Sequence, residues 1–178
     1  MNKTININNK VFRKYITSEQ INQCVKDLSQ TIRNRYYLGE ELCFIVVLNG
    51  AFVFAADLIR EIQNRCEIHF VKISSYEGMI SNEVRQTSNL PYDLVNKNVI
   101  VIEDIVETGQ TIDYLIKQIR EIKPKSIEVC TLLYKPKKFR ADFSVNYVGM
   151  EIEDAFVVGY GMDYNQIGRE LKDIYQLV

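Results

Sequence analysis

The chain has 178 residues, 47% of them hydrophobic and 25% charged, an ordinary globular composition with enough apolar side chains for one sizeable core. Twenty-two basic and twenty-three acidic side chains leave a net charge of -1, so the overall balance argues against nucleic acid or an anionic membrane as partner and any phosphate recognition must be local. No apolar run approaches the ~18 residues of a membrane span and no signal-peptide core opens the chain, so a cytoplasmic protein is expected.

Thr17-Ser18-Glu19-Gln20 fits a capping box, and Ile21, Val25, Leu28 and Ile32 follow at helical spacing, which predicts a first amphipathic helix ending near Gly39. Leu42 to Leu48 reads as a buried strand. Asn49-Gly50 breaks it, and Ala51 to about Asn64 reads as a helix with Phe52, Ala55, Ala56, Ile59 and Ile62 inward. Glu67 to Tyr76 is the next strand, with His69 as a hydrogen-bonded sheet residue inside it. From Glu77 to about Asn89 the apolar pattern fails, which predicts a long loop, either a closing flap or a mobile connector. Cys24, Cys43, Cys66 and Cys130 form no C-x-x-C pair and His69 is the only histidine, so neither a zinc site nor a disulfide framework is indicated and the thiols read as reduced, mostly packing residues.

Val99 to Thr111 is where the chemistry concentrates. Val99 to Ile102 has no polar alternation, as in a strand covered on both faces, and Glu103 and Asp104 stand at its carboxyl end, where open parallel sheets bind ligands. Glu107-Thr108-Gly109-Gln110-Thr111 then leads into a helix with Ile112, Leu115, Ile116, Ile119 and Ile122 on one face. Hydroxyls at Thr108 and Thr111, a Gly109 free to take positive φ, and the unpaired amides of a helix start make an anion site, most naturally for phosphate. Pro124 stops the helix and Ser126 to Tyr134 is another strand. Lys135-Pro136-Lys137-Lys138 reads on its own as a solvated basic cluster. Val145 to Ile152, Phe156 to Gly159 and Ile174 to Val178 are short strand candidates, and Gly159 to Tyr164 is a polar, aromatic turn. Strands alternating with helices predict an α/β fold, a mainly parallel twisted sheet with helices on both faces, in a single domain spanning the chain. No G-x-G-x-x-G fingerprint, P-loop or basic helix-turn-helix is present.

Val99 to Thr111 resembles the phosphoribosyl-diphosphate motif of the type I phosphoribosyltransferases: four apolar residues, two acids, two more apolar residues, an acidic position, then Thr-Gly-x-Thr. Four further stretches resemble, in family order, segments of the hypoxanthine-guanine phosphoribosyltransferases. They are Leu48-Asn49-Gly50-Ala51-Phe52 for the diphosphate loop, Ser74-Ser75-Tyr76 for the start of a flexible loop, Leu132 to Pro136 for a base-contacting lysine, and Phe156 to Tyr164 for the purine and metal segment.

The resemblance implies that fold, with a hood formed by the N-terminal segment and the residues after about Lys135. It also implies a reaction in which a 6-oxopurine and phosphoribosyl diphosphate yield a nucleoside monophosphate and diphosphate, with Mg2+. In the roles so implied, Glu103 and Asp104 hold the ribose hydroxyls, and Thr108, Gly109, Gln110 and Thr111 the 5'-phosphate. Asn49, Gly50, Lys72 and Arg169 face the diphosphate; Lys135, Phe156 and Val157 recognise the purine; and Asp163, with Glu103 and Asp104, holds the metal. Ser75 and Tyr76 stand at the base of a lid, the Leu48–Asn49 peptide is cis, and the protein is a homodimer or homotetramer. Glu107 occupies the position of the catalytic base, where the family pattern has aspartate. The extra methylene displaces the carboxylate by about 1.5 Å, and misplacement on that scale can cost on the order of 100-fold in rate. Asn49 is a second departure, in a position often lysine. The alternatives are a xanthine-guanine type transferase, or a non-catalytic regulator that binds a phosphoribosyl ligand; Lys135 with Phe156 to Tyr164 argues against a pyrimidine substrate.

Overall fold

Apolar strands without polar alternation need cover on both faces, and the order of elements along the chain supplies it. The structure is a computed structural model that describes residues 4–37, 40–78, 81–86, 90 and 93–178, with side chains for all of these except 74–78 and 81–86. In chain order the elements are β1 (Thr4–Ile7), β2 (Lys10–Ile16), α1 (Ser18–Arg35), β3 (Leu42–Leu48), α2 (Phe52–Glu61), β4 (Cys66–Gly78), β5 (Ser81–Gln86), β6 (Asn98–Val106), α3 (Gln110–Glu121), β7 (Ser126–Tyr134), β8 (Tyr147–Glu151), β9 (Val157–Val158) and β10 (Ile174–Leu177). The main sheet runs β5-β4-β3-β6-β7-β8. Its last five strands pair in parallel, and β5 adds antiparallel to β4 at the edge.

Successive strand side chains point to opposite faces, and β3 feeds two cores accordingly. Leu42, Phe44 and Val46 pack with Ile100, Ile102, Cys130 and Leu132 beneath α1 and α2. Cys43, Ile45 and Val47 pack with Val99, Val101 and Val129 beneath Ile112, Leu115, Ile116 and Ile119 of α3. This is the doubly covered parallel sheet that the sequence predicts.

Helix α1 starts as expected: the Thr17 hydroxyl accepts from Gln20 N–H at 3.3 Å, and the Gln20 side chain accepts from Thr17 N–H at 2.9 Å. It stops at Arg35, short of the predicted end near Gly39, because Tyr36 turns to extended backbone, is buried, and donates its hydroxyl to Glu128 at 2.7 Å. Gly39 lies outside the described residues. Helix α2 also ends before Asn64; Ala55 and Ile62 are buried and Ile59 packs against the same core as expected, but Phe54 and Leu58 join them inward while Phe52 is 43% exposed and Ala56 is exposed. The region from Glu77, predicted as a loop, carries β4 on to Gly78 and includes β5, which pairs with β4 from Ile73↔Gln86 to Gly78↔Ser81. Met79, Ile80 and residues 87–89 of that predicted loop lie outside the described residues.

A second, antiparallel sheet in the order β1-β2-β10-β9 joins the two ends of the chain. Strands β1 and β2, absent from the sequence reading, form a hairpin across Asn8 and Asn9, both at positive φ, where asparagine is tolerated better than most residues. Phe12 is fully buried with Ile7, Val158 and Tyr175 and fixes this sheet as a unit. The candidate strand at Val145 to Ile152 is β8 and belongs to the main sheet.

Truncating a buried aromatic costs about 3–5 kcal/mol, whereas an exposed position usually stays within about 0.5 kcal/mol. Urea unfolding of Phe54→Ala and Phe52→Ala therefore distinguishes the two faces of α2: a large loss is expected for Phe54→Ala alone, and the reverse order would contradict the observed orientation.

Candidate functional site

Strands β3 and β6 are neighbours whose connections leave in opposite directions, β3 through α2 to β4 and β6 through α3 to β7. Such a switch point opens a crevice beyond the carboxyl ends of the strands. Pairing of β3 with β6 ends at Val46↔Ile102, whereas β7 stays with β6 to Val106↔Tyr134. Past Ile102 the sheet splits, and the polar residues of β6 enter the gap.

A cleft of about 330 Å³ fills that gap. It is lined by Asn49 and Gly50 after β3, by Glu103, Asp104, Glu107 and Thr111, and by Phe156, Val157, Asp163 and Arg169 from the second sheet and its turns. Thr108, Gly109 and Gln110 line an adjoining hollow of about 200 Å³ with Thr111 and Glu103. The Leu48–Asn49 peptide is cis. Lys72 lies in register with Leu48 on β4, beside this loop, but does not line the cleft. Ser75 and Tyr76 pair through their backbones with Val84 and Glu83, and their side chains lie outside the described residues.

Two glycines let three segments converge. A Cβ on Gly50 would stand 1.7 Å from Asp104 Oδ2, and a Cβ on Gly161, at φ +100°, would stand 2.1 Å from the Gly50 carbonyl oxygen. Arg169 anchors the outer segment: its guanidinium donates to the Gly161 carbonyl at 2.8 Å and pairs with Asp163 Oδ1 at 2.7 Å. Asp163 Oδ2 accepts from Gln166 N–H at 2.7 Å. In the turn before α3, Gly109 at φ +85° is the N-cap without a side-chain cap, so the helix-start amides that follow Gln110 keep their donors for a ligand. Thr108 Oγ1 is 3.4 Å from Gln110 N, and a side chain at Gly109 would strike Phe139 and Ala141.

Burial, reinforced by the charge of Asp104, pushes Glu103 well above the ordinary carboxyl range. Burial also raises Asp104, against the Ile105 N–H that donates to Asp104 Oδ1 at 2.8 Å. Glu103 Oε2 is buried with no hydrogen-bond partner among the described residues. An orphaned buried oxygen beside the Asp104 carboxylate suits donors from outside the chain, either sugar hydroxyls or a hard cation that takes oxygen ligands.

The basic cluster after β7 is not a solvated surface throughout. Lys135 is only 3% exposed, and its backbone N–H donates to the Val106 carbonyl at 2.9 Å, which sets it against Glu107. Its ammonium pairs with Glu107 Oε1 and lies 3.5 Å from Asp154 Oδ1. Lys138 lies 2.7 Å from Asp154 Oδ1 and 3.6 Å from Glu107 Oε2. The sequence places Lys138 only in a solvated basic cluster and assigns Asp154 no role, because the partners of both are remote along the chain. Phe156, 48% exposed, meets Tyr164 edge-on at 5.7 Å and Phe12 at 6.4 Å between ring centroids.

Away from the cleft, Cys43, Glu67 and His69 bring one ligand atom each within 4.8 Å of the others. Lys97 already lies 2.8 Å from both Glu67 oxygens, and burial pushes the Cys43 thiol up to about 11. His69, 3.3 Å from Glu67 Oε2, keeps the sheet role expected of it.

Residues 15–165 match the phosphoribosyl transferase domain family. A hypoxanthine-guanine phosphoribosyltransferase of Aquifex aeolicus is 34% identical over 96% of this chain and 97% of its own. A hypoxanthine phosphoribosyltransferase of Buchnera aphidicola is 37% identical over 92% of this chain and 94% of its own. Among solved structures, a hypoxanthine-guanine phosphoribosyltransferase of Bacillus anthracis is similar at a TM-score of 0.86 and 41% identity, covering 93% of this chain and 97% of that one.

A carboxyl whose folded pKa is raised binds protons more tightly when folded, so its contribution to stability falls as pH rises above the unfolded value. In chelator-containing buffer, Glu103→Gln is expected to be more stable than the native sequence by a margin that grows with pH above about 4.5. Thermal unfolding across pH 4 to 8 checks this, and a margin that shrank with pH would contradict the assigned burial.

Proposed function

Because the chain belongs to the phosphoribosyl transferase family, we propose that it is a purine-salvage pentosyltransferase acting on hypoxanthine, guanine or both. It converts the base and 5-phosphoribosyl 1-diphosphate to the nucleoside 5'-monophosphate and diphosphate. The observation that carries this reading is the cleft at the switch point, where Glu103, Asp104 and the Phe156 ring share one cavity and the anion-binding turn lines the hollow beside it.

In this account the amides and hydroxyls of Thr108, Gly109, Gln110 and Thr111 hold the 5'-phosphate at the start of α3. The ribose hydroxyls donate to Glu103 and Asp104, which supplies the partner that Glu103 Oε2 otherwise lacks. Arg169, Asn49 and Gly50 face the diphosphate, with Lys72 beside their loop on β4 reaching it only from outside the cleft lining, and the guanidinium of Arg169 suits two phosphate oxygens at once. Asp163, Glu103 and Asp104 would hold magnesium as oxygen donors, and the ion would supply neutralisation of diphosphate charge. Phe156 stacks on the base, Val157 contacts it through its backbone, and Lys135 donates to the 6-oxo group. As the bond from C1' to diphosphate breaks and the bond to the purine nitrogen forms, Glu107 takes the proton from N7. The arm with Ser75 and Tyr76 at its base closes as a lid and excludes water, the competing nucleophile.

The chain is read as one domain with a hood formed by the N-terminal segment and the residues after about Lys135, which between them supply the second sheet. Among the described residues no helix is long and apolar enough to cross a membrane, in keeping with a cytoplasmic enzyme. Phe52, Ile68 and Phe70 leave apolar surface exposed that a second copy would cover in a homodimer or homotetramer. Glu107 favours one second reading, a regulator that binds the ligand without turnover, since its carboxylate is already engaged by Lys135.

Incubation with magnesium, phosphoribosyl diphosphate and one base at a time is expected to give nucleotide with hypoxanthine or guanine and none with orotate. Saturable ligand binding without nucleotide from any base would favour the regulator. Glu107→Gln should lower kcat by about 100-fold or more, the usual scale of a lost general base, while Glu107→Asp retains turnover. Equal rates for the native protein and Glu107→Gln would refute the role of Glu107.

A further inference from the structure

Glu107, Lys135, Asp154 and Lys138 form a closed ring of alternating charge. Glu107 Oε1 meets the Lys135 ammonium, which lies 3.5 Å from Asp154 Oδ1; Lys138 lies 2.7 Å from the same Asp154 oxygen and returns to Glu107 Oε2 at 3.6 Å. Lys135 and Lys138 are held one turn apart by the Lys138 N–H, which donates to the Lys135 carbonyl at 3.0 Å. An ammonium has three donors. Two of those on Lys135 face Glu107 and Asp154, which leaves one for a ligand.

We propose that Lys138 and Asp154 are positioning residues for purine recognition: Lys138 holds the far oxygen of Glu107, and Asp154 holds the ammonium of Lys135. The ring then fixes the proton acceptor and the 6-oxo donor relative to each other. This rests on the transferase reading above and accounts for the departure at position 107. A glutamate carboxylate sits about 1.5 Å further from the backbone than an aspartate carboxylate. Two lysines on its two oxygens give that longer arm a definite place. Asp154 is held below the ordinary carboxylate range by Lys138 and then Lys135, and Lys138 is raised by Asp154 and Glu107, as reciprocal partners should be. Lys138 and Asp154 are both partly exposed, so either can be replaced without opening the core.

A double-mutant cycle tests the proposal, since groups in one network are non-additive and independent groups add. With hypoxanthine as the varied substrate, Lys138→Met is expected to lower kcat/KM about tenfold. The KM for phosphoribosyl diphosphate should stay within about twofold, and Lys138→Arg should restore activity. In a Glu107→Asp background, whose shorter carboxylate does not reach Lys138, the same Lys138→Met change should cost less than about twofold. An equal loss in both backgrounds, or no loss in either, would overturn the positioning role. Urea unfolding of the free protein with Lys138→Met, Asp154→Asn and their combination reads the ring without turnover, and additive midpoint shifts would overturn it. A native protein that makes no nucleotide from any base would instead overturn the transferase reading.

Discussion

The site depends on a split in the sheet. Strand β3 stops accompanying β6 at Ile102 while β7 follows it to Val106, so Glu103 and Asp104 project into a gap rather than into a packed interface. The gap exists because the crossover after β3 covers one face of the sheet and the crossover after β6 covers the other. Everything else at the site is an approach to that gap: the loop at Gly50, the turn at Gly161 tied by Arg169, and the start of α3. Glycine is required at the first two contacts because a single Cβ would overlap a carboxylate oxygen or a carbonyl.

The electrostatics divide the cleft into regions with different tasks. Asp104 and the Oε2 atom of the half-buried Glu103 are shut from solvent, and both carboxyls are reluctant to ionise without outside donors, which suits groups that meet hydroxyls or a cation on ligand binding. The hollow at Thr108 to Thr111 offers amide dipoles instead of a fixed cation, so a phosphate can be held without a lysine at its centre. The ring of Glu107, Lys135, Asp154 and Lys138 pairs two formal positive with two formal negative charges. A neutral base, on the proposed function, would therefore meet directional donors and acceptors rather than a net field.

How much of this was legible in the sequence follows from how local each cause is. The strands and the α1 start were readable because their signals lie within a few residues: unbroken apolar runs, and the Thr17 to Gln20 capping box. The inward face of α2 is only partly legible: Ala55, Ile59 and Ile62 pack as expected, but Phe52, Phe54, Ala56 and Leu58 are apolar as well, and only contact with β3 and β6 selects Phe54 and Leu58 over Phe52 and Ala56. Strand β5 is polar, and its extension comes from pairing with β4 rather than from its own pattern. The hairpin of β1 and β2 carried a readable turn at Asn8-Asn9, but its sheet is completed by β10 from the far end of the chain. At the site, the contiguous motif from Val99 to Thr111 was visible. The partners of Glu107 lie 28, 31 and 47 positions further along, at Lys135, Lys138 and Asp154, and only the fold brings them together.

On the proposed function, the close approach of the Gly50 loop to Asp104 builds the phosphoribosyl site, and Gly50→Ala tests this most directly. The backbone there is open to alanine, since Gly50 is not among the positive-φ glycines, so the added methyl acts only through its overlap with Asp104. Calorimetric titration with magnesium and phosphoribosyl diphosphate should show Kd raised at least about tenfold, a loss of about 1.4 kcal/mol or more, in a protein that still unfolds cooperatively. An unchanged Kd in the folded variant would contradict the account.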